Sequence, residues 1–206
     1  MDRLLRIQAL LGEGYALKAY GLAQTAKAEE VDPLRLGWLR YCEFKALFEL
    51  EAWAEAVELF RRPEPKPFAL TPKNAAWMHA AAAECAARLG RAEDVVRWAE
   101  RCYELRRAGG DLLGAAQSLN TACLLLERMG RSDLNTPFAD RLIELGLEVG
   151  AEQAVIQGVL RLLENYEARK RTAVRRRLQK SRSLLPALRD PDKAGAAMER
   201  LRRTLD

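Results

Sequence analysis

ALFELEAWAEAVELF (Ala46–Phe60) and CAARLGRAEDVVRWA (Cys85–Ala99) are two versions of one phrase: an apolar helix end, a turn and a second amphipathic helix. A weaker third version, LLLERMGRSDLNTPFA, runs from Leu124 to Ala139. The turn residue falls at Glu51, Gly90 and Gly130, spacings of 39 and then 40 residues. A helix pair recurring at such a period marks a repeat architecture, in which each pair buries its apolar face only by stacking on its neighbours. Extended by the same step, the register reaches Gly12 and Lys170, so the array comprises about five helix pairs.

The elements follow from local chemistry. Ala46, Leu47, Leu50, Trp53, Ala56, Val57 and Phe60 return at three- and four-residue intervals, the stripe of helices that pack on others. Alanines at 80–83 and 86–87 let neighbouring helices approach closely, and Trp53, Phe60 and Trp98 are bulky enough to fill the gaps between layers. Asp32-Pro33, Thr71-Pro72, Thr136-Pro137 and Asp190-Pro191 each set a capping residue before a proline at the first helical position. Gly90, Gly130 and Gly150 supply the left-handed stop that ends a helix. These marks predict helices over 2–11, 14–30, 33–50, 52–61, 72–89, 91–108, 111–129, 136–149, 151–168, 170–185 and 191–204, with no strand. They form a single domain over 1–206. The one long irregular connection is Arg61–Pro72, with four prolines.

The phrase resembles the tetratricopeptide repeat (TPR) family, in its long-period form of about 40 residues. The likeness is best over 38–62, where Ala46, Leu47, Glu51 at the turn, Trp53, Ala56 and Phe60 occupy the family's small and large positions. It weakens over 77–105, which keeps Gly90 but has Val95 and Ala99 at two signature positions, and over 117–145, which keeps Gly130. The resemblance implies an all-α, right-handed α-α superhelix with a concave groove lined by the first helix of each pair. By that register the groove residues are Trp38, Tyr41, Lys45, Phe48 and Glu49, then Trp77, Glu84 and Arg88, then Gln117, Asn120, Glu127 and Arg128. It implies a non-enzymatic scaffold that takes a peptide or helix of a protein partner. The aromatics among these residues read equally as core. The family's carboxylate-clamp positions fall here on Tyr41, Lys45, Ala81, Gln117 and Thr121, a set unsuited to gripping an acidic peptide tail.

Composition narrows the chemistry. His79 is the sole histidine, and no nucleophile elbow or metalloprotease helix motif occurs, so neither a catalytic residue nor a metal or other cofactor is expected. On its alanine-rich helix His79 reads as a hydrogen-bonded groove or core residue. Glu29-Glu30 and Glu93-Asp94 sit where carboxylates complement a helix dipole and read as a solvated face. Cys42, Cys85, Cys102 and Cys123 lack metal-ligand or redox spacing and read as buried thiols. The short apolar start does not read as a signal peptide and no segment reaches the length of a membrane span, so the expected location is cytoplasmic, with no membrane partner.

Charge is distributed unevenly. Residues 161–206 carry 14 Lys/Arg against 6 Asp/Glu, whereas residues 1–160 carry 20 against 23. Arg171, Arg175, Arg176, Arg177, Lys180 and Arg182 surround the apolar stripe Val174, Leu178 and Leu185, a basic amphipathic helix within a C-terminal cap over 169–206. Such a helix is the polar end that a repeat array needs. It also suits nucleic-acid phosphates or an acidic partner. Monomer and homodimer both remain open.

Overall fold

A computed structural model describes residues 2–61 and 70–164. Every regular element among them is helical: α1 (Arg3–Gly12), α2 (Ala16–Glu29), α3 (Pro33–Glu49), α4 (Trp53–Arg61), α5 (Pro72–Arg88), α6 (Ala92–Ala108), α7 (Leu112–Arg128), a 3₁₀ turn (Ser132–Leu134), α8 (Thr136–Val149) and α9 (Glu152–Glu164). From α1 to α8 the sequence bounds hold within two residues. The helices expected over 170–185 and 191–204 lie outside the described residues, as do the basic cluster and most of the proline-rich connection.

Side-chain caps start the helices where the sequence places them. Asp32 accepts from the Leu34 N–H at 2.9 Å, and Thr71 from the Asn74 N–H at 3.3 Å. The expected cap at Thr136 is corrected. Thr136 is the first helical residue, and Asn135 before it turns its side chain away to donate to Glu127 Oε1 at 3.0 Å.

One device closes six of the helices, α1, α3, α5, α6, α7 and α8. Gly14, Glu51, Gly90, Gly110, Gly130 and Gly150 all have positive φ. In each case the next residue returns its N–H to a carbonyl five positions back, at 2.7–2.9 Å: Tyr15 to Leu10, Ala52 to Leu47, Arg91 to Ala86, Asp111 to Arg106, Arg131 to Leu126 and Ala151 to Gly146. This is the Schellman closure, which satisfies carbonyls left open at a helix end. It corrects the first register mark, since Gly12 is the last residue of α1 and Gly14 makes the turn. It also adds Gly110, so that from Gly90 onward the closures recur every 20 residues. The 40-residue period is two helix-turn modules of 20.

The chain divides into two compact units, Met1–Leu105 and Arg106–Asp206. In the first, α1 packs on α2 and α3, α2 on α3, α3 on α4 and α5, and α4 on α5. Its N-terminal core joins Ile7, Ala19, Ala23, Leu39, Cys42 and Ala46. Glu43, 3% exposed, is held there by Lys27 at 2.5 Å and by Gln24. Further along, Arg61 on α4 meets Asp94 on α6 at 2.5 Å. Asp94 is also 3% exposed, which overturns its reading as part of a solvated face: the buried carboxylate needs a partner, and Arg61 supplies it.

In the second unit α8 packs on both α7 and α9. Glycines bring α8 and α9 close: a Cβ at Gly158 would stand 2.8 Å from the Ala139 carbonyl oxygen, and one at Gly146 would stand 2.9 Å from the Val155 nitrogen. Leu119, Leu126, Phe138, Leu142 and Leu145 fill the interior, and Arg161 reaches from α9 to Glu127 at 2.7 Å. All four cysteines are free and buried, as expected. Burial pushes the Cys42 thiol up to about 11 and Cys85 to about 12. No helix among the described residues is long and apolar enough to cross a membrane.

Candidate functional site

Helix α3 carries Trp38, Tyr41, Lys45 and Phe48 at offsets of three, four and three, so they share one face. Three of them are aromatic, and with Trp77 of α5 they form a continuous row of ring contacts. Trp38 meets Tyr41 with centroids 5.7 Å apart, Tyr41 meets Trp77 at 5.4 Å, and Trp77 meets Phe48 at 6.1 Å. Phe48 then contacts Trp53 of α4 at 5.4 Å, and the Arg88 guanidinium lies 5.8 Å from the Trp53 ring centre. Each of these five aromatics is half-buried. The structure thus brings together Trp38, Tyr41, Lys45, Phe48, Trp77, Glu84 and Arg88. It adds Trp53, which sequence spacing assigned to packing alone.

A second layer of rings stands behind the first. Phe44 is fully buried and touches both Trp77, at 6.1 Å, and Phe60, at 5.3 Å. Phe60 in turn meets Trp98 at 5.5 Å and His79 at 4.9 Å. Most contacts of the row are edge-on, an arrangement worth about 0.5–1.5 kcal/mol per pair beyond burial. Of these rings Phe44 and Trp98 are core, and they support a partly exposed apolar face made by the row. Burial holds the Tyr41 hydroxyl above its usual range, so it stays a neutral hydrogen-bonding tip.

The charges beside the row are paired locally. Lys45 approaches Glu49 at 3.7 Å and Arg88 approaches Glu84 at 3.4 Å, both one turn apart on a helix. Exposed pairs of this kind contribute little stability, so they can be exchanged for a partner's charges at small cost.

The α7 residues have other surroundings. Gln117 and Arg128 are exposed, while Asn120 is half-buried and joins Gln117 on the wall of a cavity in the second unit. Glu127 is half-buried, and its carboxylate binds Arg161 and Asn135 inside that unit. Arg171, Arg175, Arg176, Arg177, Lys180 and Arg182 lie outside the described residues.

His79 sits in the inner ring layer. Burial, with a smaller contribution from the Arg101 charge, pushes its pKa down to about 4, leaving a neutral imidazole at pH 7. The expected hydrogen bond is missing at Nδ1, which is shut away from solvent with no partner. Phe60 occupies the ring's flank instead. Among the described residues no cluster of three or more His, Cys, Asp or Glu is placed to hold a metal ion. No protein-family model, curated protein or solved structure matches the chain.

Proposed function

We propose that this protein is a non-enzymatic scaffold that binds a peptide or helix of another protein on the aromatic face of α3, α4 and α5. The observation that carries this reading is the row Trp38, Tyr41, Trp77, Phe48 and Trp53: five large rings, half-buried and braced from behind. Aromatic anchors held rigid before binding lose little side-chain freedom on association, which is why they dominate protein interfaces. A TPR-like superhelical stacking agrees with the contacts inside each unit, where alternate helices lie side by side, α1 with α3, α3 with α5, and α7 with α9. In such an array α3 and α5 are first helices of their pairs and line the concave side.

The test is selection of displayed peptides on the folded protein, followed by calorimetric titration of the best binder. Trp38→Ala should weaken it at least tenfold with little loss of stability, because Trp38 has its ring contact at the outer end of the row. Lys45→Glu should change affinity several-fold and alter its salt dependence. Selected peptides that bind both variants as tightly as the wild type would place recognition elsewhere.

A second reading rests on charge. The Arg171–Arg182 cluster, in a segment with 14 basic against 6 acidic residues, suits phosphates. Salt-dependent binding of mixed-sequence DNA or RNA, abolished by charge reversal at Arg175, Arg176 and Arg177, would favour a nucleic-acid-associated regulator.

A further inference from the structure

The second unit has an open pocket of about 510 Å³ where α7 faces α8 and α9. Its walls are mainly aliphatic, with Leu112 and Ala116 from α7, Leu142 and Val149 from α8 and Ala154 from α9. The pocket has a packing cause. Gly146 and Gly158 let α9 press tightly against α8, while the small Ala116 and Ala154 leave the α7 side unfilled. Leu113, 70% exposed, and the exposed Gln117 stand at its mouth.

The polar groups on the wall say what would be welcome there. Three are carboxamides, Gln117, Asn120 and Gln157, and none is ionisable except Asp111. The Asp111 carboxylate is already engaged, capping α7 by accepting the Gly114 N–H at 2.9 Å. An anionic ligand would find no counter-charge on the wall, and the one carboxylate open to a cation is held at the α7 cap. The Asn120 Oδ1 is buried without a hydrogen-bond partner, an acceptor that costs about 1–3 kcal/mol while unsatisfied. Asn120 belongs to the pocket wall, and its Oδ1 is tied to no donor. A volume in the range of small-molecule sites, apolar walls and a few polar groups are the usual ingredients of a ligand pocket.

We propose that this cavity binds an uncharged, mainly apolar small molecule whose one hydrogen-bond donor is taken by the Asn120 carboxamide. The site is independent of the aromatic face and involves none of its residues.

N-phenyl-1-naphthylamine is a fitting probe: neutral, apolar, with a single N–H and a fluorescence that rises on leaving water. Titrated into the full-length protein, it should show saturable one-to-one binding. Ala116→Trp and Ala154→Phe fill the cavity from opposite walls, and each should weaken the dye at least tenfold while the far-UV circular dichroism stays helical. Asn120→Leu should cost the N–H dye about tenfold and its N-methyl counterpart almost nothing. This last comparison stands even if a filling variant fails to fold. Absence of saturable binding overturns the proposal, as does equal behaviour of the two dyes in Asn120→Leu. Binding that survives both filling variants but falls in Trp38→Ala would put the dye on the aromatic face, and also overturns it.

Discussion

The two units solve the same packing problem with different side chains. Residues 70–105 and the helices before them interlock rings in two layers, from Trp38 through Trp77 and Phe44 to Phe60 and Trp98. Between Arg106 and Glu164 the only aromatic is Phe138, and leucine, alanine and glycine do the filling. Large rings leave no gap and push their surplus area to the surface as a face. Small residues allow tight helix contact on one side, at Gly146 and Gly158, and a cavity on the other. Composition alone thus turns one helix-turn module into a ring-rich face in one unit and an aliphatic pocket in the other.

Removing an interior ring should break the first solution most severely. Trp98 is 5% exposed and braces Phe60, so Trp98→Ala should destabilise the first unit by about 3–5 kcal/mol. Leu142→Ala, on the cavity wall of the second unit, should fall near the low end of the leucine range, about 2–3 kcal/mol, because fewer contacts are lost beside an existing void. All four tryptophans lie in the first unit, so urea titration read by tryptophan fluorescence follows that unit, while circular dichroism reads the helices of both. A loss of about 5 kcal/mol for Leu142→Ala would show that the site is fully packed in solution.

Acid should separate the units next. His79 titrates at about 4 in the fold against an ordinary 6.5, because its buried imidazole resists protonation. As pH falls below 6.5 the unfolded chain takes up a proton that the folded chain refuses. Stability is therefore lost progressively between about pH 6.5 and pH 4, to a total of roughly 3 kcal/mol. His79→Phe should flatten that part of the pH profile of fluorescence-detected unfolding. An unchanged slope in this variant would mean the imidazole reaches solvent or a partner at Nδ1.

Added bulk should act with opposite sign in the two interiors. Ala82 is fully buried in the first unit, and Ala82→Leu should cost about 1–3 kcal/mol by overpacking. Ala116→Leu adds the same atoms next to empty space in the second unit, and should leave stability unchanged or raise it by up to about 1 kcal/mol. Chemical denaturation of the pair decides this within one experiment.

What the sequence disclosed, and what it hid, follows the range of the interactions. Helix bounds were legible because caps and stops are local, as at Asp32, Thr71, Gly90 and Gly130. The aromatic stripe of α3 was legible because three- and four-residue spacing on one helix guarantees a common face. Thr136 was misassigned as a cap because Asn135 spends its side chain on Glu127, eight residues away. The burial of Asp94 depends on Arg61, 33 residues earlier, and no local pattern announces that pairing. The pocket needs three helices in place before it exists, and local spacing marks only Gln117 and Asn120 of its wall, as groove positions. Extending a period of 39 points to Gly12, whereas the chemistry of the turn selects Gly14.

That turn chemistry offers the finest test. Five of the six Schellman closures place glycine at positive φ, but the closure between α3 and α4 uses Glu51 at φ 56°. A side chain in this left-handed region costs about 1–2 kcal/mol, because Cβ crowds the following carbonyl. Glycine relieves the crowding yet gives the unfolded chain more freedom, which returns up to about 1 kcal/mol. Glu51→Gly should therefore stabilise the first unit by only about 0.5–1 kcal/mol. Gly90→Ala, at φ 72° in the corresponding turn between α5 and α6, should destabilise it by about 1 kcal/mol. Both are within reach of denaturant midpoints followed by tryptophan fluorescence. Glu51 adjoins the aromatic face, with Phe48 and Trp53 three residues before and two after it. If Glu51→Gly gains stability and leaves peptide affinity intact, the glutamate is a tolerated departure from the repeat. If affinity drops as stability rises, the strained residue is kept for what its carboxylate contributes at the end of the row, and the comparison between the units extends to their turns.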